Sequence, residues 1–305
     1  MADKKKVVFM QLSSCWGCHQ SLLDLHEKLL DVIPLLDIQY WVAAVDFKLD
    51  HLEKLPNGSL DAAFVEGLCR TEEDVHLLKL CREKAKALVA LGTCSTFGGV
   101  PSIANLFTRD ELFDRKFIKA DTVTNRDTIP SQNVPAITKF IPRNDEIVKV
   151  DAYLPGCPPT SAEIANAALA LLTGKPLEHS IKSVCDECER KKEEKNIKEF
   201  HRDFEGRADP EKCLLNQGYI CLGPGTRAGC GAQCPNANHP CKGCSGPPDG
   251  VTDQGARLIG TFGGIADMEP QKMLASFKDP VGQLYKFTYA SAPISKLRSE
   301  AKNEK

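Results

Sequence analysis

The sequence predicts an α/β fold: a mostly parallel sheet with helices on both faces, followed by a small cysteine-rich domain with little regular structure. Three observations carry this. Strand-like and helix-like segments alternate through the first half of the chain. The strand-like segments are apolar almost throughout, as strands covered on both faces are. After Gly174 the chain changes character, with eight cysteines between Cys185 and Cys244 and few long apolar runs.

The elements follow in order. Residues 6–12 form an apolar run with β-branched side chains, ending at Ser13-Ser14-Cys15. From 17 to 32, Leu22, Leu23, Leu25, Leu29 and Leu30 recur at helical spacing. Residues 37–44 read as a second strand and 61–65 as a short third, ending at Glu66-Gly67. A helix over 72–84 has Val75, Leu77, Leu78 and Cys81 in its apolar set. The strand 86–91 ends at Gly92, and the strand 148–154 at Pro155-Gly156. An alanine-rich helix over 161–172 is stopped by Gly174 and Pro176. The mixed-charge run 189–198 reads as a solvated helical face. The expected division is 1–174 for the sheet domain, 175–260 for the cysteine-rich domain and 261–305 for a polar C-terminal tail. A segment as poor in apolar runs as 185–244 is expected to need inorganic cross-links to hold its shape.

The bulk numbers narrow the function classes. A chain of 305 residues with formal net charge -2 shows no basic excess for nucleic acid or an anionic membrane. No apolar run reaches the roughly 18 residues of a membrane-spanning helix. The N-terminus, with Gln11, Ser13 and Ser14 soon interrupting its apolar stretch, has neither a secretory nor a twin-arginine pattern, and a cytoplasmic location is expected. In a reducing compartment, clustered cysteines point to metal or redox chemistry rather than to disulfides.

In open parallel sheets, ligands bind beyond the carboxyl ends of the strands. Cys15 and Cys18 follow the first predicted strand, Cys94 follows the strand 86–91, and Cys157 follows the strand 148–154. Each sits in a loop rich in glycine or proline: Cys15-Trp-Gly-Cys18, Gly92-Thr-Cys94-Ser-Thr-Phe-Gly98-Gly99 and Pro155-Gly-Cys157-Pro-Pro159. A bulky cubane needs ligands converging from several directions and a backbone able to approach it, and four thiolates are the usual complement of a [4Fe–4S] cluster. Taken alone, Cys15-x2-Cys18 is also a thioredoxin-like dithiol, but a dithiol needs only two thiols. Cys81, on an apolar helix face, reads as core packing. Cys69 stays open between core and the neighbourhood of the first set. Glu66 stays open between tuning that set and a capping role.

The second half holds Cys185-x2-Cys188, Cys213 and Cys221, then Cys230, Cys234 and Cys241-x2-Cys244. By spacing alone, two structural zinc sites and two iron–sulfur clusters are equally good readings. Cys234-Pro235 echoes the end of ferredoxin ligand runs, and a first set spread from Cys15 to Cys157 is unlike a compact zinc ribbon. Both features favour iron–sulfur, with Cys185, Cys188, Cys213 and Cys221 on one cluster and Cys230, Cys234, Cys241 and Cys244 on the other. His179 and His239 are spare ligand candidates. No nucleotide-binding or nucleophile-elbow motif is present.

Together the Cys15-x2-Cys18 pair, the Gly-Thr-Cys94-x3-Gly-Gly box, Pro-Gly-Cys157-Pro-Pro and the cysteine-rich second half resemble the small subunit of [NiFe] hydrogenases. They are most similar to the cytoplasmic F420-non-reducing (methyl-viologen-reducing) branch of methanogenic archaea. The resemblance covers about the first 245 residues. It implies a flavodoxin-like first domain and an electron-transfer subunit with three [4Fe–4S] clusters. The proximal cluster, on Cys15, Cys18, Cys94 and Cys157, would face the Ni–Fe site of a separate large subunit, where H2 oxidation occurs. The medial and distal clusters would lie in the second domain. Best-known periplasmic members begin the distal set with a histidine, where this chain has Cys185. They place a proline at the fourth medial position, for which Cys234 is the candidate here. The same branch implies that electrons leave through a delta-type iron–sulfur subunit toward heterodisulfide reductase. A related respiratory Complex I subunit shares the glycine and proline boxes but has adjacent cysteines in place of Cys15-x2-Cys18.

Overall fold

The computed structural model describes residues 4–124, 126–177, 180–194 and 196–296. Five strands, β1 (Lys5–Gln11), β2 (Leu36–Tyr40), β3 (Leu60–Glu66), β4 (Ala85–Leu91) and β5 (Ala152–Leu154), form one sheet in the order β2-β1-β3-β4-β5. Every pairing is parallel. Successive side chains in a strand point to opposite faces. Val7 and Phe9 therefore join Phe64, Val89, Leu22, Trp41 and Ile164 in one core. Val8 and Met10 join Val65, Leu88, Leu52 and Leu78 in another. Both faces must be covered, which is why helices flank the sheet on each side. Full burial of each Leu or Val here stabilises the fold by about 1.5–3 kcal/mol.

The order of strands reverses direction at β1, which lies between β2 and β3. The crevice beyond the carboxyl ends of β1 and β3 is thus the topological switch point of the sheet. Helix Glu72–Lys84 opens on a capping box between Thr71 and Asp74, and helix Ser161–Thr173 on one between Thr160 and Glu163. Gly174, at φ 68, ends the latter.

Three expected elements are shorter than their hydrophobic patterns. The helix begun at Gly17 stops at Leu23, because His26 turns the backbone to φ 52. Leu30 is left 72% exposed, outside any apolar stripe. The second strand ends at Tyr40, where the Trp41 carbonyl accepts the N–H groups of Ala44 and Val45 and turns the chain. That turn drops the fully buried Trp41 onto Phe9, with ring centroids 4.7 Å apart. The last strand pairs only over Ala152–Leu154.

Beyond Gly174 the structure corrects three expectations. The cysteine-rich segment does bury hydrocarbon: Val184, Phe200, Leu214, Leu215 and Tyr219 lie in a core with Leu258, Phe262, Phe277, Leu284, Tyr285 and Tyr289. These residues occur singly or in pairs such as Leu214-Leu215 and Leu284-Tyr285, so no long run announced them. The second correction concerns the same core. Residues 261–305 are not a tail over their described part, since helices Gln254–Ile265, Pro270–Ser276 and Pro280–Leu284 complete that core. Gly260, Gly263 and Gly264 of the first of these helices face open space. Gly255 is needed for close packing, as a Cβ there would come within 2.2 Å of the Tyr285 ring. Third, the run 189–198 is not helical among its described residues. It is tied into a bridge in which Lys191 N–H donates to Glu211 O and Cys213 N–H to Lys191 O. Among the described residues, no helix is long and apolar enough to cross a membrane.

Candidate metal centres

The first set of thiols forms at the carboxyl edge of the sheet. The loop after β1 delivers Cys15 and, at the start of helix Gly17–Leu23, Cys18. Helix Gly92–Phe97 delivers Cys94 directly after β4, and the loop after β5 delivers Cys157. Burial pushes the Cys18 thiol well above its ordinary range, and charge on Glu66, Cys94, Cys157 and Cys15 pushes it further. Cys94 is raised to about 12 and Cys157 to about 11, again by burial first and by neighbouring thiols second. Three strand ends thus bring these four sulfurs within one another's field.

Glycine makes that convergence possible. Gly92, at φ +83, leaves room that a Cβ would take only 2.3 Å from Cys18 Sγ. Gly99, at φ +57, does the same for Cys94, whose Sγ would lie 2.5 Å from an added Cβ. The backbone thus closes on two of the four sulfurs with no side chain between, as close approach to a bound group would require.

Glu66, at the end of β3, is 1% exposed. Burial raises its pKa, although the Ser14 hydroxyl and the N–H groups of His19, Cys18 and Trp16 hold the carboxylate down. His19 lies beside it, with Nε2 3.6 Å from Glu66 Oε2, and burial lowers the imidazole to about 4. Glu66 therefore organises the Cys15–His19 loop. Cys69 and Cys81 are fully buried in the sheet core, where burial raises each to about 12, and neither joins a thiol set.

The second unit holds the other eight cysteines. Cys230, Cys234, Cys241 and Cys244 line one cavity of about 340 Å³, whose wall also includes Cys157. Burial raises Cys244, with charge on Cys234 adding to it, and Cys230 is raised by burial and by Cys244. Cys221 is pushed to about 12 by burial, with charge on Cys185 and Cys213 contributing. Gly223 keeps the space beside this group open: a Cβ there would lie 3.2 Å from Cys185 Sγ and 3.8 Å from Cys221 Sγ. Cys188 caps the short helix Val184–Glu187 and packs, with Cys213, against the second core.

The three sets are connected in series. Thr93 Oγ1 donates to Cys244 O at 2.5 Å and accepts the Gly156 N–H at 2.9 Å, so one hydroxyl joins the loops of Cys94, Cys157 and Cys244. The Cys241 N–H donates to Cys221 Sγ at 3.3 Å, joining the other two sets. Among the described residues, no three Cys, His, Asp or Glu side chains stand at the spacing of a single metal ion.

Several of these residues left little trace in the sequence. Glu187, inside Cys185-x2-Cys188, accepts the N–H groups of Gly229 and Gly231 at 2.8 and 3.1 Å and so clamps both flanks of Cys230. Thr93 was visible only as the middle of Gly-Thr-Cys94. His239 is engaged elsewhere, by Asp203 at 3.3 Å and the Pro240 carbonyl at 3.0 Å. His179 lies outside the described residues.

Residues 15–171 match the family model described as NADH ubiquinone oxidoreductase, 20 Kd subunit. A subunit of the vhu F420-non-reducing hydrogenase of Methanocaldococcus jannaschii is 43% identical over 95% of this chain and 97% of its own. The chain belongs to the [NiFe] hydrogenase small-subunit family. The iron-sulfur subunit of the F420-non-reducing hydrogenase of Archaeoglobus profundus is 36% identical over 95% of this chain and 98% of its own. A chain of an NAD+-reducing [NiFe]-hydrogenase in the H2-reduced state is 30% identical, with TM-score 0.53, over 57% of this chain and 94% of its own. A chain of the [NiFeSe] hydrogenase of Desulfovibrio vulgaris Hildenborough, 20% identical with TM-score 0.51, shares the fold over 82% of this chain and 96% of its own. As a hydrogenase small subunit, this chain is part of an oxidoreductase, and its α/β fold is that of its family.

Proposed function

We propose that this hydrogenase small subunit relays electrons in the cytoplasm through three [4Fe–4S] clusters. Cys15, Cys18, Cys94 and Cys157 hold the proximal cluster, Cys230, Cys234, Cys241 and Cys244 the medial, and Cys185, Cys188, Cys213 and Cys221 the distal. The proximal set faces the Ni–Fe centre of a large subunit, and the distal set serves a delta-type iron–sulfur subunit on the way to heterodisulfide reductase. The observation that carries this reading is the serial arrangement of the thiols: Cys157 shares a cavity wall with the medial set, and the Cys241 N–H reaches Cys221 of the distal set.

Bound clusters would supply one-electron redox centres, whose potentials the protein sets through hydrogen bonds, charge and burial. The chain's own residues do the rest. Glycines 92, 99 and 223 admit the groups, Glu66 fixes the Cys15–His19 loop, and Thr93 holds the proximal and medial loops in register. Four cysteines per set, with the close backbone approach that Gly92, Gly99 and Gly223 allow, match the thiolate complement of a cubane.

Purification of the chain with its natural partners, followed by metal analysis, tests this. The expected result is roughly twelve iron and twelve acid-labile sulfide per chain. A colourless preparation containing zinc and no labile sulfide would refute it.

A further inference from the structure

Arg190 lies two residues after Cys188 and is 6% exposed. Its Nε donates to the Pro235 carbonyl at 2.6 Å, Nη1 to the Asp209 and Lys212 carbonyls at 2.8 Å each, and Nη2 to Asn238 Oδ1 at 2.7 Å. All four acceptors are neutral. Burying a guanidinium is costly unless a negative charge lies near it. Carbonyl dipoles orient the fork, but they carry no net charge to balance it.

The location indicates where the balancing charge arises. Pro235 follows Cys234, Lys212 precedes Cys213, and Arg190 itself follows Cys188. One side chain therefore ties together backbone from both thiol sets of the second unit. Four thiolates around a cubane leave a net negative charge, and each one-electron reduction adds one more. We propose that Arg190 is the fixed positive charge shared by the medial and distal sets, and that it raises the reduction potentials of both. The inference rests on the cluster reading above. Arg190 acts through its field and its hydrogen bonds, so it is a positioning residue.

Two variants of the intact complex test it, each followed by iron content and an EPR-monitored redox titration. Arg190→Lys keeps the charge and loses the fork. Arg190→Gln loses the charge. The expected result is that Arg190→Gln lowers the medial and distal potentials and leaves the proximal one in place, while Arg190→Lys leaves all three near wild type. Loss of medial and distal iron in the Gln variant, with retention in the Lys variant, shows the same need for charge at the stage of assembly. Unchanged potentials in Arg190→Gln overturn the proposal, as do equal shifts or equal iron loss in both variants. Absence of iron from the wild-type complex defeats the cluster reading itself, which keeps the two failures separate.

Discussion

Replacing Gly92 with alanine isolates the geometric demand of the first thiol set. Two costs are separable. At φ +83 an alanine pays the left-handed penalty, about 1–2 kcal/mol. Its Cβ would also sit 2.3 Å from Cys18 Sγ, about 1 Å inside ordinary contact at 3.4 Å. Cys18 is buried, so its sulfur must move by roughly that amount. Metal–ligand distances hold to within about 0.2 Å, so a displacement several times larger forfeits the ligand. Gly58→Ala is the matched control: Gly58 has φ +70 and nothing within 4 Å of an added Cβ. Denaturant midpoints and iron content should be measured on both. Gly58→Ala should lose about 1–2 kcal/mol and no iron, while Gly92→Ala should lose more stability and about a third of its iron. Equal stability in the two variants, with full iron in Gly92→Ala, would show that the glycine is not a cradle.

Other outcomes follow from single contacts. Cys157→Ala should abolish the proximal cluster signal and hydrogen-dependent reduction while medial and distal signals persist; unchanged turnover contradicts the assignment. Thr93→Val keeps the shape but strands the buried Gly156 N–H and frees Cys244 O, and should cost about 1–3 kcal/mol in a denaturation curve. Leu258→Ala, in the second core, should cost about 2–5 kcal/mol and release medial and distal iron before proximal iron on warming. Asp151 is pushed up by partial burial, but the Leu88 N–H, Arg82 and Lys149 hold its carboxyl below the usual range. Its contribution is therefore complete above the ordinary carboxylate pKa of about 3.9 and disappears as pH falls through the lower folded value. Asp151→Asn should accordingly be less stable than wild type at neutral pH and equal to it in strong acid.

The sheet was readable because its central strands are apolar on both faces and three of the five, β3, β4 and β5, run directly into a glycine or proline that marks the crevice. Helix Glu72–Lys84 was readable to the residue from its apolar set, and the capping box between Thr71 and Asp74 fixes its start. The thiol sets were readable as types and spacings, though not as neighbours: nothing along the chain places Cys241 against Cys221. The second core was hidden because Phe200, Leu214, Phe262 and Tyr285 come from short, widely separated stretches that meet only in three dimensions. Arg190 was hidden for a related reason. Inside Glu-Arg-Lys-Lys-Glu-Glu-Lys it looks like one more solvated charge, and only the carbonyls gathered around it reveal that it is buried.

The raised thiol pKa values bear on how such a chain survives before iron reaches it. A protonated, desolvated thiol is a slow nucleophile and a poor target for oxidants. Cys94 and Cys221, both held near 12, are in that state by virtue of the fold alone. Cys15 and Cys234, by contrast, are exposed. On the cluster reading, the protected thiols wait without forming stray disulfides. The exposed ones are where an iron-free chain would oxidise first.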